Sequence, residues 1–113
     1  MATPYVPDEA DIVWLNFTPQ SGHEQAGRRP AVVLSSKAYN SRAGLVVCVP
    51  VTNQIKGYPF EVHLSGDGAT GAALADQVKS LEWQTRRAER NGSATIAEMA
   101  EIRSKIKSLL KLA

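Results

Sequence analysis

The sequence predicts a mainly β protein with one helix: a small antiparallel barrel of SH3-like type with a C-terminal helix packed against it. Two observations support this prediction. Several short segments have the composition of strands, and only the last segment repeats its apolar residues with a helical period. The chain has 113 residues and no internal repeat or low-complexity tract, so we expect residues 1–113 to form a single domain.

Three segments are predicted to form the main strands. Residues 11–17 (DIVWLNF) are rich in the β-branched and aromatic side chains that favour strands. Residues 30–35 (PAVVLS) and 45–52 (LVVCVPVT) are continuous apolar runs, as expected of central strands covered on both faces. Pro50 cannot donate a backbone hydrogen bond, so we expect a bulge, an edge or the strand's end at this position.

Shorter elements are predicted between and after these strands. Residues 37–44 are expected to form a short helical turn, and residues 60–64 (FEVHL) alternate like a half-exposed antiparallel strand. We expect two more short strands within residues 71–81. Turns are predicted at residues 65–68 and 90–92, where glycine and polar residues cluster.

The C-terminal segment is predicted to be an amphipathic helix. Its apolar residues recur every three or four positions and define one helical face: Met99, Ile102, Ile106 and Leu109. Thr95 and Glu98 have the spacing of a capping box, in which each side chain satisfies a free N–H group at the helix start. We therefore expect this helix to have a structural role.

The charge of the chain is a weak indication of its partners. A net charge of +2 is too small to indicate nucleic acid by itself. Several cations nevertheless fall in or beside predicted loops: Arg28, Arg29, Lys56, Lys79, Arg86, Arg87 and Arg90. Such a cluster could bind phosphate groups, although a solvated surface produces the same pattern.

The sequence predicts a cytoplasmic protein without a membrane partner. No signal-peptide pattern opens the sequence, and no apolar stretch has the length of a transmembrane helix. Cys48, the single cysteine, lies within the apolar run of residues 45–52. We expect its thiol to be buried and inert, because reactive cysteines need a partly exposed, electropositive setting.

Known metal and cofactor motifs are missing from the sequence. It has no HExxH or CxxC pattern, no phosphate-binding P-loop and no dinucleotide-binding glycine motif. His23 and His63 are far apart in sequence, and His63 is predicted to point into solvent from a strand, so paired acid–base catalysis by histidines fits poorly. We expect neither a metal nor a cofactor.

One long polar loop and one strand end contain candidate catalytic groups. In residues 22–30 (GHEQAGRRP), Glu24 precedes Arg29 by five positions. A carboxylate and a guanidinium there could act on a phosphodiester, although an exposed Glu/Arg pair is usually a surface salt bridge. Thr52 and Asn53 follow the second apolar run, where their side chains would donate to a phosphate or merely cap a turn.

Four motifs together resemble the MazF/PemK family of toxin endoribonucleases. They are YVPDEADIVWLNF, HEQAGRRPAVVLS, CVPVTNQIKGYPFEV and GAALADQVKSLEW. They occur in the family's order and cover nearly the whole chain. The EQAG-x-RP segment and the VP-x-T…KGYPFEV segment are the most diagnostic of them.

The resemblance implies a catalytic mechanism and three catalytic residues. It implies a metal-independent transesterification, in which a ribose 2′-hydroxyl attacks the adjacent phosphate and leaves a 2′,3′-cyclic phosphate and a 5′-hydroxyl. Arg29 and Thr52 match the family's central catalytic pair, and Glu24 lies in its active loop. The general base remains open between these groups.

The resemblance also implies the partners and their binding residues. It implies a homodimer with single-stranded RNA in a groove across the interface, and an antitoxin whose flexible acidic tail occupies that groove. The residues assigned to RNA binding are Arg28, Lys56, Tyr58, Asp76, Gln77 and Lys79. Some family members have an arginine where this chain has Leu74, so we assign Asp76 and Gln77 to base reading rather than to acid–base chemistry.

Two other functions remain as alternatives at this point. A protein-binding toxin of the gyrase-poison type would use the same fold without cutting RNA, because fold alone does not decide function. A catalytically silent RNA-binding barrel would keep Lys56, Tyr58 and Lys79 but would not need Arg29 or Thr52. The active-loop motif favours the nuclease.

Overall fold

Antiparallel strands and two helices make up the described part of the chain, which in this computed structural model is residues 5–17, 27–66, 68 and 70–113. The strands are β1 (Asp11–Phe17), β2 (Gly27–Val33), β3 (Leu45–Thr52), β4 (Glu61–Ser65), β5 (Thr70–Leu74), β6 (Lys79–Glu82) and β7 (Glu89–Ser93). The helices are α1 (Lys37–Ala43) and α2 (Ile96–Leu110). The mainly β class with a C-terminal helix is therefore confirmed.

Strand β3 connects the two parts of the sheet. The strand order is β4-β5-β3-β2-β1-β7, and β6 also pairs with β3. The first half of β3 pairs with β6, from Leu45 to Cys48, and its end pairs with β5, at Val51 and Thr52. Among the described residues no pairing joins β4 to β7, so the ladder does not close completely.

Pro50 lies where β3 changes partners along one edge. The carbonyl of Val47 accepts a hydrogen bond from Leu34 N at 2.8 Å, so alternate residues of β3 direct their backbone groups towards β2. Pro50 therefore directs its nitrogen to the other edge, between the last β6 pair at Cys48 and the first β5 pair at Val51. Neither β6 nor β5 pairs with β3 at this residue, so the N–H group that proline lacks is not needed there. The strand therefore continues through Pro50.

The sheet has a buried apolar cluster on each face. The first cluster is covered by α2, whose Met99 and Ile102 pack on Val49, Val51 and other residues of the sheet. The second cluster lies on the opposite face and consists of Val13, Leu15, Phe17, Ala31, Val33, Val46, Cys48 and Trp83. Burial raises the pKa of the Cys48 thiol to about 12, against the opposing charges of Lys79 and Arg86. The expected burial of this cysteine is confirmed.

The predicted helix start is confirmed at atomic detail. Thr95 Oγ1 accepts from Glu98 N at 3.0 Å, and the Glu98 carboxylate accepts from Thr95 N at 2.8 Å. The same carboxylate accepts from Ser65 N at 2.6 Å, which fastens the helix start to the end of β4. The predicted apolar face is shorter than expected, because Leu109 is 41% exposed.

Two predicted boundaries are wrong. Residues 90–92 form part of β7 rather than a turn, because this polar segment supplies backbone pairing to the edge of β1, with a bulge between Ile12 and Val13. Strand β2 begins at Gly27, so Arg28 and Arg29 belong to a strand and not to the loop. The predicted helical turn is confirmed as α1, with Ser36 as N-cap and Gly44 at a φ of 71° as C-cap.

No helix in the described ranges is both long and apolar enough to cross a membrane.

Asn40 joins segments that are distant in sequence. Its fully buried side chain donates to the carbonyl of Pro7 at 2.8 Å and to that of Ser35 at 3.2 Å. Its Oδ1 accepts from Ser35 Oγ at 2.5 Å. Its backbone carbonyl accepts from the indole of Trp83 at 2.8 Å. A buried amide with all these partners fixes α1 against the N-terminal segment and the second cluster.

We predict that Asn40→Ala lowers the free energy of unfolding by at least about 2 kcal/mol, because it leaves buried polar groups without partners. Chemical denaturation measures this change. Ser41→Ala, at an exposed position of the same helix, is the control and should stay within about 0.5 kcal/mol of wild type. Equal stability of the two variants would contradict the role of Asn40.

Candidate functional site

A groove of about 550 Å³ lies at the C-terminal end of β3. Its lining residues are Thr52, Gln54, Lys56, Gly57, Tyr58, Pro59, Glu61, Leu74, Asp76 and Gln77. Val51 belongs to the cluster under α2, and successive strand residues alternate faces. Thr52 therefore faces away from the helix, and the groove opens on that side of the sheet.

Thr52 is held where β3 ends and the next loop begins. Its side chain is 8% exposed, and its Oγ1 accepts from Gln54 N at 3.0 Å. A hydroxyl that accepts one hydrogen bond keeps its own hydrogen for donation. Gly71 of β5 permits the close pairing here, since a Cβ at that position would lie 2.2 Å from the Thr52 carbonyl oxygen.

Arg29 lies on the strand next to Thr52. The ladder between β2 and β3 pairs Val33 with Cys48 and Ala31 with Pro50. Continued by two residues, the same register places Arg29 opposite Thr52, and residues opposite each other in a ladder share a face. The strand register thus brings the two predicted catalytic residues to one end of the sheet, on the face that carries the groove.

Tyr58 and Asp76 connect the two walls of the groove. The Tyr58 hydroxyl donates to Asp76 Oδ2 at 2.7 Å, and the tyrosine ring packs against Phe60 with centroids 5.8 Å apart. The hydrogen bond to Asp76 raises the pKa of Tyr58, because the phenolate would face a carboxylate. Tyr58 remains 47% exposed, so one side of its ring is available to a ligand.

Two buried acceptor atoms on the same wall have no hydrogen-bond partner among the residues that the structure describes. They are Asp76 Oδ1 and Gln77 Oε1. Buried polar atoms are normally hydrogen-bonded, and leaving them unsatisfied is unfavourable. A ligand that presents N–H groups would satisfy both atoms, as expected of residues that read base edges.

Glu61 is a groove residue that the sequence did not indicate. Only 7% of it is exposed, and its carboxylate accepts from the backbone N–H groups of Lys56, Gly57 and Tyr58 at 2.9–3.2 Å. The hydrogen bond from Lys56, with those from Gly57 and Tyr58, lowers the pKa of Glu61. Its sequence position in FEVHL resembles any solvent-facing polar residue of an alternating strand, so no local signal marks it.

Three predicted residues are not part of the groove lining: Arg28, Arg29 and Lys79. The Arg28 guanidinium donates to Asn16 Oδ1 at 2.9 Å and to the Arg87 carbonyl at 3.0 Å, and it forms an ion pair with Glu89. These contacts favour a structural role for Arg28. Lys79 lies on β6 opposite Cys48.

Glu24, the third predicted catalytic residue, lies outside the described residues, as does His23 of the same loop. His63 is exposed on β4, as the alternating pattern indicated. Within the described ranges, no group of three or more His, Cys, Asp or Glu side chains could hold a metal ion.

Comparison with known proteins gives consistent matches along the chain. Residues 8–110 match the family described as PemK-like, MazF-like toxin of type II toxin-antitoxin system. The endoribonuclease toxin MazF of Escherichia coli K12 is 52% identical over 110 residues, which cover 97% of this chain and 99% of that protein. MazF from Deinococcus radiodurans superposes with a TM-score of 0.92 at 55% identity, over 96% of this chain and 100% of that one. A MazE–MazF complex from the same organism matches with a TM-score of 0.88 at 54% identity, over 97% and 100%.

We predict that Asp76→Ala lowers the pKa of Tyr58 towards the ordinary value of about 10, because it removes the carboxylate that accepts the phenolic hydrogen. The difference between the ultraviolet pH titrations of the parent protein and its Tyr58→Phe variant isolates this one phenol. Glu82→Ala, at an exposed position of β6, is the control and should leave the titration unchanged. A Tyr58 titration that does not respond to Asp76→Ala would argue against the hydrogen bond.

Proposed function

The chain belongs to the PemK-like, MazF-like family of toxins of type II toxin–antitoxin systems, and on this basis we propose that it is a sequence-specific endoribonuclease. Its substrate is single-stranded RNA, principally mRNA, and its cleavage inhibits translation and growth. The observation that supports this most directly is the register of β2 and β3, which, continued beyond its last pair at Ala31 and Pro50, brings Arg29 to the same end of the sheet as Thr52 in the groove. The E. coli relative that is 52% identical to this chain is named an endoribonuclease toxin.

The proposed reaction is a transesterification within the RNA. The ribose 2′-oxygen forms a bond to the adjacent phosphorus, and the bond from phosphorus to the 5′-oxygen breaks. A general base takes the 2′-hydroxyl proton, and the departing 5′-oxygen gains a proton. The products are a 2′,3′-cyclic phosphate and a 5′-hydroxyl, and the balance requires no metal ion and no cofactor.

The catalytic residues have distinct roles in this proposal. Arg29 supplies planar donors to the phosphate oxygens as negative charge develops in the transition state. Thr52 donates its hydroxyl hydrogen to a non-bridging oxygen, because that hydroxyl already accepts a bond from Gln54. Glu24 orients Arg29 or accepts the 2′-hydroxyl proton, for which a guanidinium with a pKa above about 12 is poorly suited.

The remaining groove residues bind and read the RNA. Tyr58 offers an exposed ring on which a base can stack, and the exposed Lys56 attracts the phosphate chain. Asp76 and Gln77 present the unsatisfied acceptors that a base edge would fill. Lys79 extends the cationic surface along β6.

A protein-binding toxin of the gyrase-poison type is not favoured. The family match extends over residues 8–110, and a protein-binding surface does not require an arginine and a buried threonine hydroxyl beside a groove with unsatisfied acceptors. The silent RNA-binding alternative is disfavoured for the same reason, because it gives no role to Arg29 and Thr52.

The proposal includes two protein partners and a compartment. The chain forms a homodimer, acts in the cytoplasm and is inhibited by an antitoxin with a flexible acidic tail. MazF of D. radiodurans was crystallised with MazE, which supports an antitoxin of that kind. An acidic segment would follow the same cationic residues as the RNA and would order on binding.

We predict that Arg29→Ala and Thr52→Val each reduce turnover by about a hundredfold or more, the usual effect of removing one transition-state donor. Thr52→Val keeps the side-chain shape, and Thr52→Ser, which keeps the hydroxyl, should retain most activity. The assay measures cleavage of a long unstructured RNA in excess EDTA, with RNA ends identified by sequencing. The control is Arg103→Ala on α2, which should cleave like wild type. Full activity in folded Arg29→Ala or Thr52→Val protein, or loss of wild-type cleavage on chelation, would contradict the mechanism.

We also predict that an acidic antitoxin peptide and RNA compete for one groove. Replacing Lys56 and Lys79 together by Glu should weaken the binding of both ligands while dimerisation is retained, because both depend on the same charges. The matched control replaces Lys107 and Lys111 by Glu on the exposed side of the C-terminal segment. Fluorescence anisotropy with an uncleavable RNA measures the competition. Simultaneous binding of peptide and RNA at full affinity would indicate a remote inhibitory site.

A further inference from the structure

The loop between β3 and β4, residues 53–60, carries two of the proposed RNA-binding side chains, Lys56 and Tyr58. Its residues 53–59 are all exposed. An exposed segment outside the sheet has no neighbouring strand to order it, and each ordered residue loses conformational entropy. The geometry of both side chains therefore depends on the hydrogen bonds that hold the loop backbone.

Three of those hydrogen bonds end on one carboxylate. Glu61 Oε2 accepts from Lys56 N at 2.9 Å, and Oε1 accepts from Gly57 N at 3.0 Å and from Tyr58 N at 3.2 Å. The backbone N–H of Glu61 returns a bond to the Tyr58 carbonyl at 3.0 Å. Three successive N–H groups that converge in this way form an anion-binding concavity, and here the chain's own carboxylate fills it.

The sheet holds Glu61 firmly in place. It is the first residue of β4 and pairs with Leu74 of β5, and Ala75 N donates to the Phe60 carbonyl beside it at 2.9 Å. Strand β5 leads directly to Asp76, which accepts the hydrogen bond from Tyr58. The loop is thus joined to the same wall of the groove by its backbone, through Glu61, and by the Tyr58 side chain.

We propose that Glu61 is a positioning residue for RNA binding, whose carboxylate holds the backbone of residues 56–58 so that Lys56 and Tyr58 meet the RNA in one conformation. This proposal rests on the function proposed above. A preformed loop binds more tightly because less ordering is required on binding. This carboxylate acts on the backbone of the loop that carries Lys56 and Tyr58, so its loss should change KM more than kcat.

The test compares the wild-type protein with Glu61→Gln. Glutamine has the same shape but only one acceptor oxygen, so its NH₂ group must face at least one of the loop N–H groups. We expect KM for RNA to rise about tenfold, the scale of losing a hydrogen bond to a charged group, with kcat nearly unchanged. The Tyr58 phenol should also titrate at a lower pH than in wild type, because a loosened loop weakens its bond to Asp76.

Glu98→Gln is the matched control. Glu98 is also a nearly buried carboxylate that accepts backbone hydrogen bonds, those from Thr95 N and Ser65 N. It belongs to α2, however, which covers the opposite face of the sheet from the groove. Its substitution should lower the melting temperature while KM and the Tyr58 titration stay at their wild-type values. A change in KM that merely reflects lost stability would appear in both variants.

Several outcomes would overturn the proposal. A folded Glu61→Gln protein with wild-type KM and wild-type Tyr58 titration would do so, and so would a fall in kcat at constant KM. If Glu61→Gln does not fold, Gly57→Ala decides, since it strains the same loop at a φ of +76° where a Cβ meets no atom within 4 Å. Its KM should rise, and a wild-type KM would reject the idea. If the wild-type protein cuts no RNA, the proposed function fails, while the phenol titration still decides whether Glu61 positions Tyr58.

Discussion

The pairing of β3 with three other strands is the constraint on which the rest of the structure depends. This strand pairs with β2 along one edge and with β6 and then β5 along the other. The partner changes between Cys48 and Val51, where Pro50 has no N–H group to donate. Because the partner changes there, Thr52 pairs with Ala72 of β5 at the end of β3, and it lines the groove.

Two nearly buried glutamates perform the same physical task on opposite faces of the sheet. Glu98 accepts backbone N–H groups at the start of α2, where burial alone would raise its pKa but the hydrogen bonds from Thr95 and Ser65 lower it. Glu61 does the same for the loop that borders the groove. In both cases a charge is stabilised inside the protein by groups that would otherwise lack partners, so each carboxylate fixes the segment that surrounds it.

The candidate site combines catalytic residues on strands with RNA-binding residues on a loop. The candidate catalytic residues Arg29 and Thr52 belong to strands, whose positions the ladder determines, whereas Lys56 and Tyr58 belong to an exposed loop. Strands hold reacting groups to the small tolerance that catalysis needs. A loop lets the reading surface change without changing the catalytic pair, provided that an internal anchor such as Glu61 maintains its shape.

Local sequence patterns determined the elements whose stabilisation is itself local. The strands at residues 11–17 and 45–52 and the capping box of Thr95 and Glu98 could be predicted, because apolar composition and cap spacing act within a few residues. The position of Thr52 at a strand end marked it as a candidate, whereas Tyr58, Asp76 and Gln77 came from a family resemblance. Only the fold shows that these residues line one groove with Lys56. Strand β7, the buried amide of Asn40 and the carboxylate of Glu61 depend on partners that are distant in sequence or on another element. Such contacts leave no periodic signal in the chain, so the tertiary structure alone decided them.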